Sequence, residues 1–357
     1  MFVFPGQGAQ WLGMGRELMA TSPVFAQMMG ECAQAFAPLV DWSLLDVIDG
    51  EVRDDVLNRV DVVQPALFAV MVSLAQWWRS VGVEPEAVIG HSQGEIAAAY
   101  VAGALTLHDA ARVVILRAQA LTAVAGHGGM ASVALPAEIV RERLAGRGDL
   151  AVAAINGPTA TVVSGVGEAL EGFVSDLEAE GVRVRRIPVD YGSHSSQVDA
   201  LQESILEVLD GITAVSAPLE FYSTVTGAVL DTTVLDAGYW FRNLRETVEF
   251  DQAVRALIDA GHTVFVEVSP HPLLALAIEE SAETATTEPV VVSSLRRGEG
   301  GLDRLLAAAA RLETCGAAAV AWPVVFAGRA RRVGLPTYAF QHRRYWLEAG
   351  SGSGDVT

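Results

Sequence analysis

The stretch Ala87-Val-Ile-Gly-His-Ser-Gln-Gly-Glu-Ile-Ala-Ala-Ala-Tyr-Val-Ala-Gly103 limits what this chain can fold into more than any other. A short apolar run, Ala87-Val88-Ile89, stops at Gly90, and the helix-forming Glu95-Ile96-Ala97-Ala98-Ala99 takes over. That order predicts a strand, a tight turn and a helix, with Ser92 at the apex of Gly90-His91-Ser92-Gln93-Gly94. A Gly-x-Ser-x-Gly turn in that setting is a nucleophile elbow, in which flanking glycines permit a strained turn that exposes the serine hydroxyl. It also puts the backbone N–H of Gln93 at a helix N-terminus, where partial positive charge stabilises an oxyanion. In a chain with 34 glycines the bare pattern arises easily by chance. A strand before it and a helix after it argue against chance, and Ser92 is the first candidate nucleophile.

With 51% hydrophobic residues over 357 positions, the chain can bury a large core in one large or two unequal domains. Charged residues interrupt each apolar run, so no membrane span is expected. Residues 1–20 show neither a basic stretch nor a cleavage pattern, and no signal peptide is read there. Cys32 and Cys315 lie far apart with no motif around either; they read as buried thiols in a reducing compartment, and a cytoplasmic location is expected. A formal charge of −19 argues against nucleic-acid binding. All 24 basic residues are arginines, which excludes a lysine nucleophile or Schiff base. An anionic substrate must then be held by arginine, whose planar fork matches a carboxylate.

The chain opens on a short strand leading into Pro5-Gly-Gln-Gly8, a loop without the lysine and hydroxyl residue of a phosphate loop. Its use is more readily to bring backbone N–H groups close to a reacting carbonyl. Helices are predicted over 14–37, 54–58 and 64–81, the last with Leu67, Val70, Met71, Leu74 and Trp78 at core spacing. Thr106 caps a helix through about Ala125 that carries Arg112 and Arg117. Arginines on helices are usually solvated, but Arg117 sits among Val113, Val114, Ile115, Leu116 and Leu121, where a charge needs a partner. Residues 130–189 then read strand, helix, strand, strand, helix, strand, the ferredoxin-like order βαββαβ. That unit ends at Asp190-Tyr-Gly-Ser-His-Ser195, which places His194 at a domain junction, where clefts form. Helices at 198–209, 248–260 and 301–312 and strands at 219–223, 263–268 and 290–293 complete the larger unit. Gly334–Glu348 is extended and aromatic, and Ala349–Thr357 reads as flexible tail.

Phe4-Pro-Gly-Gln-Gly8, Gly90-His-Ser-Gln-Gly-Glu-Ile-Ala-Ala98, Arg117, Tyr191-Gly-Ser-His194 and Glu267-Val-Ser-Pro-His271, in that order, resemble the acyltransferase domains of modular polyketide synthases. The resemblance runs from Phe2 to about Leu347. It implies an α/β fold: a large α/β-hydrolase-like subdomain, residues 1–127 and 191–315, with an inserted ferredoxin-like small subdomain at 128–190. A post-acyltransferase linker at 316–348 and the tail at 349–357 follow, and the chain reads as a domain excised from a multienzyme. By resemblance, Ser92 is the nucleophile, His194 its general base, and the backbone N–H groups of Gln7 and Gln93 the oxyanion hole. Arg117 clamps the free carboxylate of the acyl group. No third triad member is identified; the segment 267–271 is a candidate supplier of a backbone carbonyl to His194. His91, beside the nucleophile, is as readily structural. No metal and no bound cofactor are implied: coenzyme A is the handle of the thioester substrate. The implied partners are an acyl carrier protein, whose phosphopantetheine thiol is the acceptor, and the adjacent ketosynthase and linker domains.

Arg59-Val-Asp-Val-Val-Gln64, Gln93 and Tyr191-x-Ser-His194 are similar to methylmalonyl-selecting members of that family. Malonyl-selecting members carry an apolar residue after the serine and His-Ala-Phe-His at the second site. Serine in place of phenylalanine at 193 leaves space for an α-methyl. The family has alanine where this chain has Gly192, so a wider pocket or a looser loop, and with it a larger or mixed extender unit such as ethylmalonyl, is open at this point. A serine hydrolase fits the elbow but not the absence of a clear acid between Ser92 and His194, nor Arg117. A silent scaffold domain does not explain why serine, histidine and arginine are all intact.

Overall fold

A computed structural model describes residues 1–53, 55–283, 285, 288–326, 331, 333 and 334. Its strands are β1 (Phe2–Phe4), β2 (Ala87–Gly90), β3 (Gly128–Val133), β4 (Leu150–Gly157), β5 (Ala160–Val166), β6 (Val184–Ile187), β7 (Glu220–Ser223), β8 (Ala228–Val229), β9 (Val264–Glu267) and β10 (Val290–Ser293). They form two sheets, β10-β9-β1-β2-β7-β8 and β4-β5-β3-β6. In the larger sheet all neighbours are parallel except β8, which pairs antiparallel with β7. Its central strands Phe2-Val3-Phe4 and Ala87-Val88-Ile89 are apolar without alternation because helices cover both faces. The register Phe4↔Gly90 sets the ends of β1 and β2 side by side, so the loops that follow them meet. Clefts beyond the carboxyl ends of parallel strands are where α/β sheets hold ligands.

The smaller sheet is wholly antiparallel, with the strand order of a ferredoxin-like fold. One face packs on Ala137–Leu144 and Gly167–Ala179, burying Val140, Leu144, Phe173, Val174 and Leu177. From the other, Ala153, Ala154 and Val162 join the core of the large sheet with Val3, Ile89, Phe250 and Phe265. Val248 stitches the two together: its N–H donates to Ala153 O at 2.9 Å and its carbonyl accepts from Ile155 N at 2.9 Å.

The helix expected over 14–37 is two helices, Arg16–Thr21 and Pro23–Phe36. Proline cannot continue a helix, and the Ser22 hydroxyl caps the second by accepting from Phe25 N. The helix Val60–Ser80 starts earlier than expected and runs through Pro65. Its 21 residues are long and apolar enough to cross a membrane, contrary to the sequence reading, but it is buried as a core helix. Leu44–Asp49, Ala237–Arg245 and Ala275–Ser281 are helices absent from that reading. Cys32 is buried as expected, whereas Cys315 is exposed; both thiols are free. Met1–Ala321 is one compact unit and Trp322–Thr357 another, of which the helix Trp322–Phe326 is described. Of the expected 316–348 linker, residues 327–330, 332 and 335–348 lie outside the described residues, as does the whole 349–357 tail.

Candidate active site

The turn after β2 is strained where the sequence places it. Ser92 has φ 53° and His194 φ 59°, the two non-glycine residues with positive φ among those described. A Cβ at Gly94 would lie 2.0 Å from the Phe4 carbonyl oxygen, and one at Gly90 would lie 2.2 Å from Glu95 N. Only glycine at both positions lets the turn fold this tightly against β1. The helix Gly94–Ala102 leaves directly from the turn, and the backbone N–H of Gln93 sits at its start.

His194 Nε2 lies 2.8 Å from Ser92 Oγ, and its Nδ1 lies 2.7 Å from the carbonyl oxygen of Glu246. A carbonyl only accepts, so Nδ1 carries the hydrogen and Nε2 is bare to accept the serine proton. The orienting carbonyl therefore comes from Glu246, at the end of Ala237–Arg245, and not from 267–271. The Glu267 carboxylate instead accepts from the backbone N–H groups of Leu273, Leu274 and Ala275, fixing the turn after β9. Burial lowers the His194 pKa to about 3, with the Glu246 bond pulling the other way, so the ring is neutral at neutral pH. Gln7 follows β1 and Gln93 follows Ser92; both line the cavity at the serine. Among the described residues neither backbone N–H meets a hydrogen-bond acceptor.

That cavity, of about 350 Å³, lies between the ends of β1 and β2 and the smaller sheet, with Met130, Val162 and Ile187 on its far wall. Arg117 enters it from the helix Leu107–Leu121, fully buried. Its Nη1 donates to Asn243 Oδ1, while Nε and Nη2 have no partner among the described residues. Burial lowers its pKa to about 10, still cationic at neutral pH, with Tyr191 and Glu95 opposing the shift. Both ends of the Gln93 amide and Oε1 of Gln64 are likewise buried without partners in the same lining. Buried polar atoms without a partner are rare in folded proteins, and several of those among the described residues line this one cavity.

Tyr191 is buried and neutral, its pKa raised to about 12 by burial; its hydroxyl donates to Gln7 Oε1 at 2.8 Å and accepts from Gln64 Nε2 at 3.2 Å. Ser193 lines the cavity with its hydroxyl 3.5 Å from Met130 Sδ. Gly192 does not line it. A Cβ there would meet Gln197 Oε1 at 2.4 Å and Gly165 N at 2.9 Å, so this glycine relieves a close approach and leaves the cavity's width unchanged, contrary to the sequence expectation. His91 turns its Nε2 to Asn156 Oδ1 at 2.8 Å, and burial lowers its pKa. Among the described residues no group of histidine, cysteine, aspartate and glutamate is arranged to hold a metal ion.

Residues 1–319 match the family model described as "Acyl transferase domain". The chain belongs to that family. The acyltransferase is 56% identical over 358 residues to polyketide synthase GfsE of Streptomyces halstedii, covering 99% of this chain and 9% of that protein. It thus spans about a tenth of the length of that curated relative. Among solved structures it is similar to the acyltransferase domain from module 8 of the salinomycin polyketide synthase: TM-score 0.88, 54% identity, covering 90% of this chain and 76% of that one. A loading acyltransferase from the avermectin modular polyketide synthase gives TM-score 0.84 at 50% identity, covering 87% and 99%.

Sequence reasoning missed two features of the candidate site, the Glu246 carbonyl and Asn243. Both belong to Ala237–Arg245 and its end, a short helix announced by Asp236, whose side chain caps it by accepting from Tyr239 N at 2.8 Å. A backbone carbonyl leaves no residue-type signal at all. The third partner of His194 was therefore invisible in the sequence.

Proposed function

We propose that this domain loads a carboxylated acyl group, methylmalonyl, from its coenzyme A thioester through a Ser92 ester onto the phosphopantetheine thiol of an acyl carrier protein. Ser92 Oγ attacks the thioester carbonyl carbon as its proton passes to His194 Nε2. The oxyanion takes hydrogen bonds from the backbone N–H groups of Gln7 and Gln93. The carbon–sulfur bond breaks, and the thiolate leaves with the proton from His194. The carrier's thiol then gives its proton to His194, attacks the ester and restores Ser92. The setting is a cytoplasmic polyketide synthase with neighbouring ketosynthase and linker domains, the subdomain divisions falling at 127/128 and 190/191.

Arg117 carries this reading. Its empty Nε and Nη2 share one edge of the guanidinium, the geometry that grips a carboxylate with two parallel bonds. A hydrolase of plain acyl esters has no use for a buried cation in that place. Arg185 and Arg297, exposed and without a carboxylate partner among the described residues, add positive charge to the same lining, which suits a phosphate-bearing handle. Methylmalonyl is favoured over malonyl by Ser193, whose small side chain leaves room beside His194 where the malonyl-selecting pattern puts phenylalanine.

The test is incubation with methylmalonyl-CoA, with and without phosphopantetheinylated carrier, following acyl-carrier against free acid. Transfer should outrun hydrolysis when carrier is present. Dominant release of free acid would make the protein a hydrolase. Competition among malonyl-, methylmalonyl- and ethylmalonyl-CoA, read from the mass of the acyl-enzyme, tests the extender unit.

A further inference from the structure

Beneath the elbow lies a buried polar network. Asn243, 2% exposed, accepts from Arg117 Nη1 through Oδ1 and donates through Nδ2 to Ser92 O at 3.2 Å and to Glu95 Oε2 at 3.0 Å. Glu95 is fully buried and also takes the Tyr239 hydroxyl at 2.6 Å and the Thr224 hydroxyl at 2.8 Å. The amide can sit only one way round. A guanidinium only donates, whereas a carboxylate and a carbonyl only accept, so the three neighbours demand one acceptor and two donors. No other side chain of this size supplies that set.

We propose that Asn243 is the positioning residue of the carboxylate clamp, holding Arg117 by Nη1 so that its Nε/Nη2 edge faces the cavity while tying it to the Ser92 carbonyl. This rests on the clamp reading of Arg117. Glu95 supplies the counter-charge at one remove. A carboxylate bonded directly to Arg117 would occupy the donors the substrate needs; an interposed amide keeps the negative charge near and those donors free. Because one amide holds both groups, the distance from the bound carboxylate to the serine is set by a single side chain.

The experiment is a double-mutant cycle on the full chain, comparing methylmalonyl-CoA with propionyl-CoA, which lacks only the carboxylate. Asn243→Ala should raise KM for methylmalonyl-CoA about 10-fold or more relative to propionyl-CoA, the size of a lost bond to a charged group. Any kcat loss from the freed Ser92 carbonyl should be common to both. In an Arg117→Ala background the selective part should vanish, because nothing remains to be aimed. Asn243→Asp keeps the volume, presents acceptors to Glu95 and Ser92 O, and should show the same selective loss. A loss shared equally by both thioesters, or one undiminished after Arg117→Ala, would overturn the proposal while leaving the clamp intact. If Arg117→Ala itself lowers both thioesters equally, the clamp reading falls and Asn243's role with it.

Discussion

Two buried ionisable groups in this molecule are treated in opposite ways: burial raises the Glu267 pKa to about 7 and lowers that of Arg117 to about 10. Glu267, at the end of β9, has its oxygens filled by three backbone N–H groups and the Ser269 hydroxyl. Arg117, as deeply buried, has one side-chain partner among the described residues and two donors left open in a cavity. Burial of a charge is costly in both places. Where the protein itself supplies every partner, the charge fixes the fold. Where it withholds them, the donors are left facing the cavity, and the carboxylate clamp proposed for Arg117 rests on that. His194 stands between the two, with Nδ1 filled by the protein and Nε2 turned to Ser92 and the cavity.

The largest effect should therefore come from the group that does both. His194→Ala should slow formation of the acyl-enzyme by about 10²–10⁴-fold. Near-normal rates would remove it from the chemistry. Its pH behaviour sharpens the point. Burial holds the folded-state pKa near 3 against an ordinary 6.5, so the unfolded chain binds a proton first as pH falls. Stability from this group is intact above about pH 6.5 and lost progressively from there toward pH 3. His194→Ala should flatten the fall in melting temperature across that window; an unchanged slope would assign the acid loss to other groups.

Next comes the filled charge. Glu267→Ala strands three backbone donors and should cost at least about 3 kcal/mol in urea unfolding. The protein that remains folded should keep its preference between methylmalonyl- and propionyl-CoA. A changed preference with unchanged stability would break the contrast with Arg117. Arg117→Ala should do the reverse, losing about 1.5–3 kcal/mol of methylmalonyl-CoA binding while propionyl-CoA loses nothing. Equal losses on both thioesters would make Arg117 as structural as Glu267.

The same contrast explains what was legible in the sequence. The elbow was readable because its strand, glycines and helix are local, and the smaller sheet because its periods change in the order βαββαβ. Arg117 stood out because a charge among apolar neighbours needs a partner. That its partner is Asn243 joins positions 126 residues apart, which no period or propensity records. Glu267 was read only within the 267–271 motif and Arg117 as the clamp; what separates them in the fold is which of their hydrogen bonds the protein fills. Gly192 misled for a related reason, since a missing methyl shows its meaning only when the atoms facing it are known.

Positions 192 and 193 repeat the comparison at its smallest scale, one facing protein and one facing the cavity. Ser193→Phe should raise malonyl use relative to methylmalonyl, because a ring beside His194 takes the space of the α-methyl. One methyl in a pocket is worth about 1–3 kcal/mol, so the shift should be partial. Gly192→Ala should instead leave the product ratio unchanged, since its Cβ is aimed at Gln197 and Gly165. The cost there is crowding, about 1–3 kcal/mol of stability. Intact-mass competition among malonyl-, methylmalonyl- and ethylmalonyl-CoA on both variants reads the ratio, and thermal unfolding reads the crowding. A ratio that moves with Gly192→Ala and not with Ser193→Phe would mean selectivity is set by the position of the 191–194 loop and not by the wall it presents. Selection would then be traced through Gln197, whose side chain accepts from Gly192 N at 2.9 Å and donates to His127 O at 2.8 Å, tying the loop to the start of the smaller sheet.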